Sequence, residues 1–243
     1  MSAINTEDEF LAELERIYAE VAQCALLFYQ YIEIHNHAAA NREIYKALNR
    51  DAEFWSANLY ALQQSMFISL GRIFDSGRDA HSIYKLLKGA QDNRHFFFKR
   101  ALRARRMKGL ATKPPYMDEF IGSAHVPTPV EIRKLTKSLK DAGKKYLEAF
   151  GDIRNLHVGH AIVNDRRALD EMYGKVVIAD ARDILYALTD VISVLRQMWD
   201  NGRKPVMGTL DFKSPERIAK QTQAALDRLI KEKSYGSKPR SLY

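Results

Sequence analysis

Between Leu135 and Leu156 apolar residues recur at alternating intervals of four and three: Leu135, Leu139, Ala142, Tyr146, Ala149, Ile153 and Leu156. That alternation keeps to one side of an α-helix. It cannot line one face of a strand, whose side chains repeat every second residue. The start of the stretch is marked by Thr128-Pro129-Val130-Glu131, where Thr caps, Pro takes the first helical position and Glu closes a capping box. A seam of this kind packs against a neighbouring helix. The same intervals return in Ile184, Leu188, Val191, Leu195 and Met198, on a helix expected from about Asp180 to Gly202. A third helix is expected from Asp51 to Phe74. Trp55, Leu59, Leu62, Met66, Leu70 and Ile73 share one of its faces, while Phe54, Ala57, Ala61 and Ile68 fill another. A helix apolar on most sides is expected to be central.

Weaker signals complete an all-α chain. Thr6 with Glu9 starts a helix running to about Ile34, and a short helix ends near Leu48. Asp79 or Ser82 can cap a short helix from Ile83 to Lys88, and a last helix runs from Ser214 to about Lys231. Gly109 to Pro127, with Pro114-Pro115 inside it, reads as a loop, and Lys175–Ala179 is the one strand-like stretch. The polar, basic tail from Lys233 to Tyr243 reads as disordered. With only 12 Gly and 7 Pro in 243 residues, the composition argues against a loop-rich or all-β chain. The expected organisation is a helical extension over residues 1–50, a bundle over 51–202, and a C-terminal helix with tail over 203–243.

Compartment and charge narrow the function. Glu7, Asp8 and Glu9 stand where a signal peptide would carry positive charge, and no apolar run is long enough to cross a bilayer. The expectation is a cytoplasmic protein with no membrane partner. Cys24, the single cysteine, lies in an apolar run and reads as a buried, inert thiol. The formal charge is +8. From Asn93 to Met117 there is no Asp or Glu, but there are eight basic residues: Arg94, Lys99, Arg100, Arg103, Arg105, Arg106, Lys108 and Lys113. That number equals the whole chain's excess, so the positive charge is concentrated there. The segment is either a solvated helix face anchored by Phe96-Phe97-Phe98 or a polyanion-binding surface for RNA, DNA or an acidic protein.

One segment contains the parts for chemistry: Arg154-Asn155-Leu156-His157-Val158-Gly159-His160. Cleaving an RNA phosphodiester requires a proton acceptor for the 2′-hydroxyl, a proton donor for the leaving 5′-oxygen, and positive charge at the phosphate. Histidine can move both protons near neutral pH, and the planar fork of arginine fits phosphate oxygens. Neither role needs a metal or other cofactor. On a regular helix Arg154 and His160 lie about 120° apart, whereas Arg154 and His157 share a face. If the helix stops near Gly159, His160 instead lies on a turn and can swing back. The same residues also fit a plainer role, with the histidine hydrogen-bonded in the core and the arginine paired to a neighbouring helix. A metal site from His157, His160 and Asp165 lacks any standard ligand spacing.

Arg154-Asn155 followed by His160 resembles the Arg-polar-x(4)-His motif of the HEPN superfamily. Phe54–Tyr60, Leu70-Gly71-Arg72-Ile73-Phe74-Asp75 and Asp79–Ile83 resemble the central helix and Leu-Phe-Asp turn of its abortive-infection U-type branch. The resemblance spans roughly Phe54 to Trp199. It implies a HEPN-like helical bundle with additional N- and C-terminal helices, and an endoribonuclease of a defence or toxin–antitoxin system. Arg154 would polarise the scissile phosphate, Asn155 would orient it, and His160 would be the general acid or base; His157 lies outside the family pattern. The family habit also implies a homodimer with a composite cleft, which the basic residues from Arg94 to Lys108 could line. The implied partners are RNA and an antitoxin such as a small nucleotidyltransferase. The competing expectation is a non-catalytic helical module that binds RNA, a nucleotide or a protein.

Overall fold

The computed structural model describes residues 4–77, 80–151 and 178–235. Among them every regular element is helical. Helix α1 covers Glu7–Ala40, α2 Arg42–Arg50, α3 Ala52–Ile73 and α4 Ile83–Asp92; a 3-10 turn covers Arg94–Phe97. Then follow α5 Lys99–Met107, α6 Met117–Ser123, α7 Pro129–Ser138, α8 Lys140–Ala149, α9 Ile178–Asn201 and α10 Ser214–Tyr235.

The capping signals act as the sequence predicts. Thr6 and Glu9 exchange bonds at the start of α1, the Glu9 N–H reaching Thr6 Oγ1 at 3.2 Å and the Thr6 N–H reaching Glu9 Oε2 at 3.1 Å. Thr128 and Glu131 do the same at α7. Ser82 caps α4 by accepting from the Lys85 N–H, while the other candidate, Asp79, lies outside the described residues. Helix α1 outruns its expected end at Ile34 because Ala38–Ala40 are strong helix formers. The stop comes at Asn41, whose Oδ1 accepts from the Glu43 and Ile44 N–H groups and opens α2.

The chain forms two compact units. One comprises Met1–Ala22 and Ser69–Asp211, the other Gln23–Ile68 and Phe212–Tyr243. In the first, the seam residues Leu135, Leu139, Ala142, Tyr146 and Ala149 are all buried. The helix carrying them is broken at Leu139 into α7 and α8, and α8 packs chiefly on α9. The partner helix foreseen from the spacing is therefore in the same chain. Phe10 lies at the heart of this unit, 5.5 Å from the Phe97 ring edge-on and 5.1 Å from the Trp199 ring.

Two departures from expectation have physical causes. The supposed loop from Gly109 to Pro127 contains α6, because Met117 and Ile121, one helical turn apart, bury against Leu102 of α5 together with Ala124. The second face of α3 is not covered: Phe54, Ala57, Ala61 and Ile68 are exposed, Phe54 by 61%. Helix α3 is thus not apolar-in on all sides, although Met66, Phe67, Leu70 and Ile73 near its C-terminus are buried. Of the strand-like stretch, Ile178 and Ala179 are the first residues of α9, and 175–177 lie outside the described residues.

The second unit has a small core of Ile34, Ile44, Leu48 and Leu226, with Trp55, Leu59 and Leu62 packed against it. Polar ties join α1 to α10: His37 Nε2 lies 2.9 Å from Asp227 Oδ1, and Gln223 Nε2 donates to Glu33 Oε1 at 2.6 Å. Cys24 is buried, as its apolar surroundings predict.

Candidate nucleic-acid interface

Arg154, Asn155, His157 and His160 lie outside the described residues, as do residues 236–243 of the tail. What precedes and follows the motif is well anchored. At the end of α8 the Tyr146 ring stacks on Phe74 at 4.9 Å and on Phe150 at 6.5 Å. Lys145 of α8 bridges to Asp183 and, at 3.1 Å, to Asp180, both in the first turns of α9. Those two hydrogen-bonded carboxylates raise the Lys145 pKa above its ordinary value.

The basic segment divides into two sets. Four of its cations are occupied by the chain itself. Arg105, whose side chain is 18% exposed, pairs with Glu7 at 2.5 Å and donates to the Phe96 and Trp199 carbonyls at 2.8 and 3.0 Å. Arg106 donates through Nε to the Asp200 carbonyl at 2.9 Å and through Nη2 to Asn201 Oδ1 at 2.8 Å. Both therefore sit on the negative C-terminal end of α9. Arg94 donates to the Pro127 carbonyl at 3.1 Å and lies over the Phe98 ring, and Lys99 donates to the Gly122 carbonyl.

The remaining cations point outward. Arg103 and Lys113 share Asp118 at 3.0 and 2.6 Å, and the bonds from Lys113 and Arg103 lower its pKa. Arg100 and Lys108 are exposed, and their side chains form no ion pair or hydrogen bond among the described residues. Arg100 and Arg103 share a helix face and Lys108 follows the end of α5. A polyanion can thus meet Arg100, Arg103 and Lys108, whereas Arg94, Lys99, Arg105 and Arg106 hold the fold.

Polar features that sequence reasoning missed lie elsewhere in the first unit. A hollow of about 1040 Å³ between α6, α9 and the chain after Gly202 is lined by Phe120, Ser193, Asp190, Arg203 and Lys204 among others. Asp190 is buried, and its Oδ2 accepts the Gly208 N–H at 2.7 Å, fixing the loop. Glu13 is also buried. Its Oε2 lies 2.6 Å from His81 Nδ1, while Oε1 has no hydrogen-bond partner among the described residues. At the α7 cap, the Thr128 N–H, then His125 and the Thr128 hydroxyl, outweigh burial and hold the Glu131 carboxyl at about 2. Apart from the Thr128–Glu131 box, no sequence signal reveals these pairs, because each joins residues on different elements or a loop residue to a helix. Among the described residues no group of three or more His, Cys, Asp or Glu could hold a metal ion, and no helix is long and apolar enough to cross a membrane.

Comparison with known proteins gives one result. The model of a HEPN family described as AbiU2 matches residues 7–229, which include α1 through most of α10 and the Arg154–His160 segment. No curated protein and no solved structure matches the chain.

Proposed function

The chain belongs to the AbiU2 family of HEPN proteins, and on that footing we propose that it is a metal-independent endoribonuclease of a defence or toxin–antitoxin system. The observation carrying this reading is the spacing Arg154-Asn155-x(4)-His160 inside the stretch that the family model matches. Arg154 binds and polarises the scissile phosphate, Asn155 orients it, and His160 moves a proton between the 2′-hydroxyl, the leaving 5′-oxygen and solvent. His157 is the competing proton carrier. The proposed enzyme works as a cytoplasmic homodimer, with an antitoxin such as a small nucleotidyltransferase as its restraining partner. Arg100, Arg103 and Lys108 supply the exposed charge that draws RNA in.

Attack by the adjacent 2′-hydroxyl dictates the products: one fragment ends in a 2′,3′-cyclic phosphate and the other begins with a 5′-hydroxyl. The test is incubation of the purified chain with end-labelled RNA, with and without EDTA. Cleavage that survives EDTA and leaves those ends supports the reading. Binding without cleavage would leave the chain a non-catalytic RNA-binding module. Cleavage abolished by EDTA and restored by a divalent ion would replace the chemistry.

A further inference from the structure

Among the described residues His37, His81 and His125 each lie against a carboxylate, and the pair at His81 is built in the opposite sense to the others. In His37–Asp227 the imidazole is the covered member, 17% exposed against 44% for the acid. His125 lies against Glu131, which serves the α7 cap. In His81–Glu13 the acid is covered, 5% exposed against 47% for the imidazole. Glu13 Oε2 meets His81 Nδ1 at 2.6 Å, and Oε1 has no hydrogen-bond partner among the described residues. Burying a carboxylate with one oxygen unanswered costs stability that an apolar residue of similar size would not cost. Packing therefore does not account for Glu13. A carboxylate can only accept, so Nδ1 carries the proton of this bond, and Nε2 across the ring keeps its lone pair. Fixing one ring nitrogen in order to present the other is the service a buried acid gives to an imidazole that binds or moves protons.

His81 lines a small hollow of about 360 Å³ within the first unit, together with Arg16 and Glu20 of α1, Arg72 at the end of α3, and Asp75 just beyond it. Glu13, Arg16 and Glu20 follow one another at intervals of three and four, so α1 brings all three to one face. The acids that line the hollow are already engaged. Glu20 Oε1 lies 3.5 Å from Arg72 Nη1, and Asp75 Oδ1 accepts the Gly77 N–H at 2.7 Å. Arg16 is exposed, and its side chain forms no ion pair or hydrogen bond among the described residues. The open groups of the hollow are thus the Arg16 guanidinium, the remaining N–H groups of Arg72 and the Nε2 edge of His81. Guanidinium forks match the spacing of phosphate oxygens. A phosphate group can meet two forks and an imidazole at once, where a carboxylate offers only two oxygens.

We propose that Arg16, Arg72 and His81 bind a phosphate group, with Glu13 as the positioning residue that holds the imidazole. As the phosphate enters, Nε2 takes a proton from it or from water and returns it as a hydrogen bond, and Glu13 answers the charge the ring acquires. The site stands whether or not the chain cuts RNA, and none of its residues belongs to the Arg154–His160 segment. The test is an NMR titration of the full chain carrying isotope-labelled histidine, with His81→Asn identifying the signal. In mildly alkaline chloride buffer His81 should show a protonated Nδ1 and a bare Nε2. Inorganic phosphate should move Nε2 saturably toward its protonated position. Arg16→Gln and Arg72→Gln, both at exposed positions, should each weaken that response about tenfold or more, with the melting temperature unchanged. Glu13→Leu should shift the resting proton to Nε2 and weaken phosphate binding as well; if it fails to fold, the arginine variants decide alone. Uridine 5′-monophosphate and a 2′-deoxy dinucleotide, which attack by a 2′-hydroxyl cannot cut, distinguish the sources of the phosphate. A response to inorganic phosphate and the monoester alone assigns a terminal phosphate, and a response to the diester as well assigns a nucleic-acid backbone. No response of His81 to any of the three, an equal response to acetate at the same ionic strength, or arginine variants that titrate like the native chain would each overturn the site. A resting proton that stays on Nδ1 in Glu13→Leu would overturn the role of Glu13.

Discussion

The guanidinium of Arg105 lies 3.8 Å from the centre of the Trp199 ring and donates to the Trp199 carbonyl. One side chain thus holds both the ring and the backbone of the last turn of α9, and Glu7 balances its charge from α1. In the sequence Arg105 is one of eight similar cations; in the fold it is a fastener.

Arg105→Gln should therefore destabilise the chain by about 2 kcal/mol or more, because a partly buried charge-assisted network and a cation–π contact are lost together. Urea denaturation followed by helical ellipticity reads this directly. A loss within about 0.5 kcal/mol would mean that the contacts are replaceable by water.

The outward cations should behave in the opposite way. Changing Arg100, Arg103 and Lys108 together to Gln should alter stability by less than about 1 kcal/mol, since exposed pairs contribute little. RNA affinity should fall, and the slope of log affinity against log salt should shrink by roughly 2 for three lost contacts at about 0.7 each on single strands. An unchanged slope would return the whole segment to a structural role.

The Arg154–His160 segment allows a sharper test. Arg154→Ala and His160→Ala should each abolish RNA cleavage while leaving helical content intact. His157→Ala distinguishes the two geometries: retained activity means that the helix yields near Gly159 and His160 works from a turn. Loss of activity means a straight helix with His157 beside Arg154. Unfolding of Arg154→Ala or His160→Ala would instead mark those residues as structural, and full activity in both would remove the chemistry from this segment.

Acid should weaken the α7 cap. The Glu131 carboxyl titrates at about 2 in the fold against an ordinary 4.5. Its contribution is complete above the higher value, falls away as pH drops through the interval, and is gone below the lower one. The stability gap between the native chain and Glu131→Gln should accordingly narrow as pH falls from about 5 to about 2. Thr128→Ala, which removes the other half of the box, should cost about 1 kcal/mol at neutral pH.

Local signals were the legible part of this fold. The caps at Thr6, Ser82 and Thr128 and the 4-3 seam are written in adjacent residues, and helices form there. Helix α6 was not legible, because what a seven-residue helix after Pro114-Pro115 packs on, Leu102 of α5, lies outside its own stretch of sequence. The second apolar face of α3 misled for a related reason: hydrophobic periodicity announces that a face will be covered and is silent on whether the cover is the same chain. The basic segment divided into fasteners and free charges only once Glu7 and α9 were beside it, at separations of more than 90 residues. The Arg154–His160 segment lies outside the described residues, and its reading rests on the spacing and on the family match.

Gly202 ends α9 with a φ of +58°, and a Cβ there would come within 2.7 Å of Ala124 Cβ and 2.9 Å of Leu102 Cδ2. Both the backbone conformation and the space demand glycine, and the Gly202 carbonyl also accepts the His125 N–H at 2.8 Å. Positions 102, 124 and 202 are thereby linked in inheritance. A lineage can abandon the glycine only by rebuilding the α5–α6 corner with it, so across the family these three positions should change together or stay fixed.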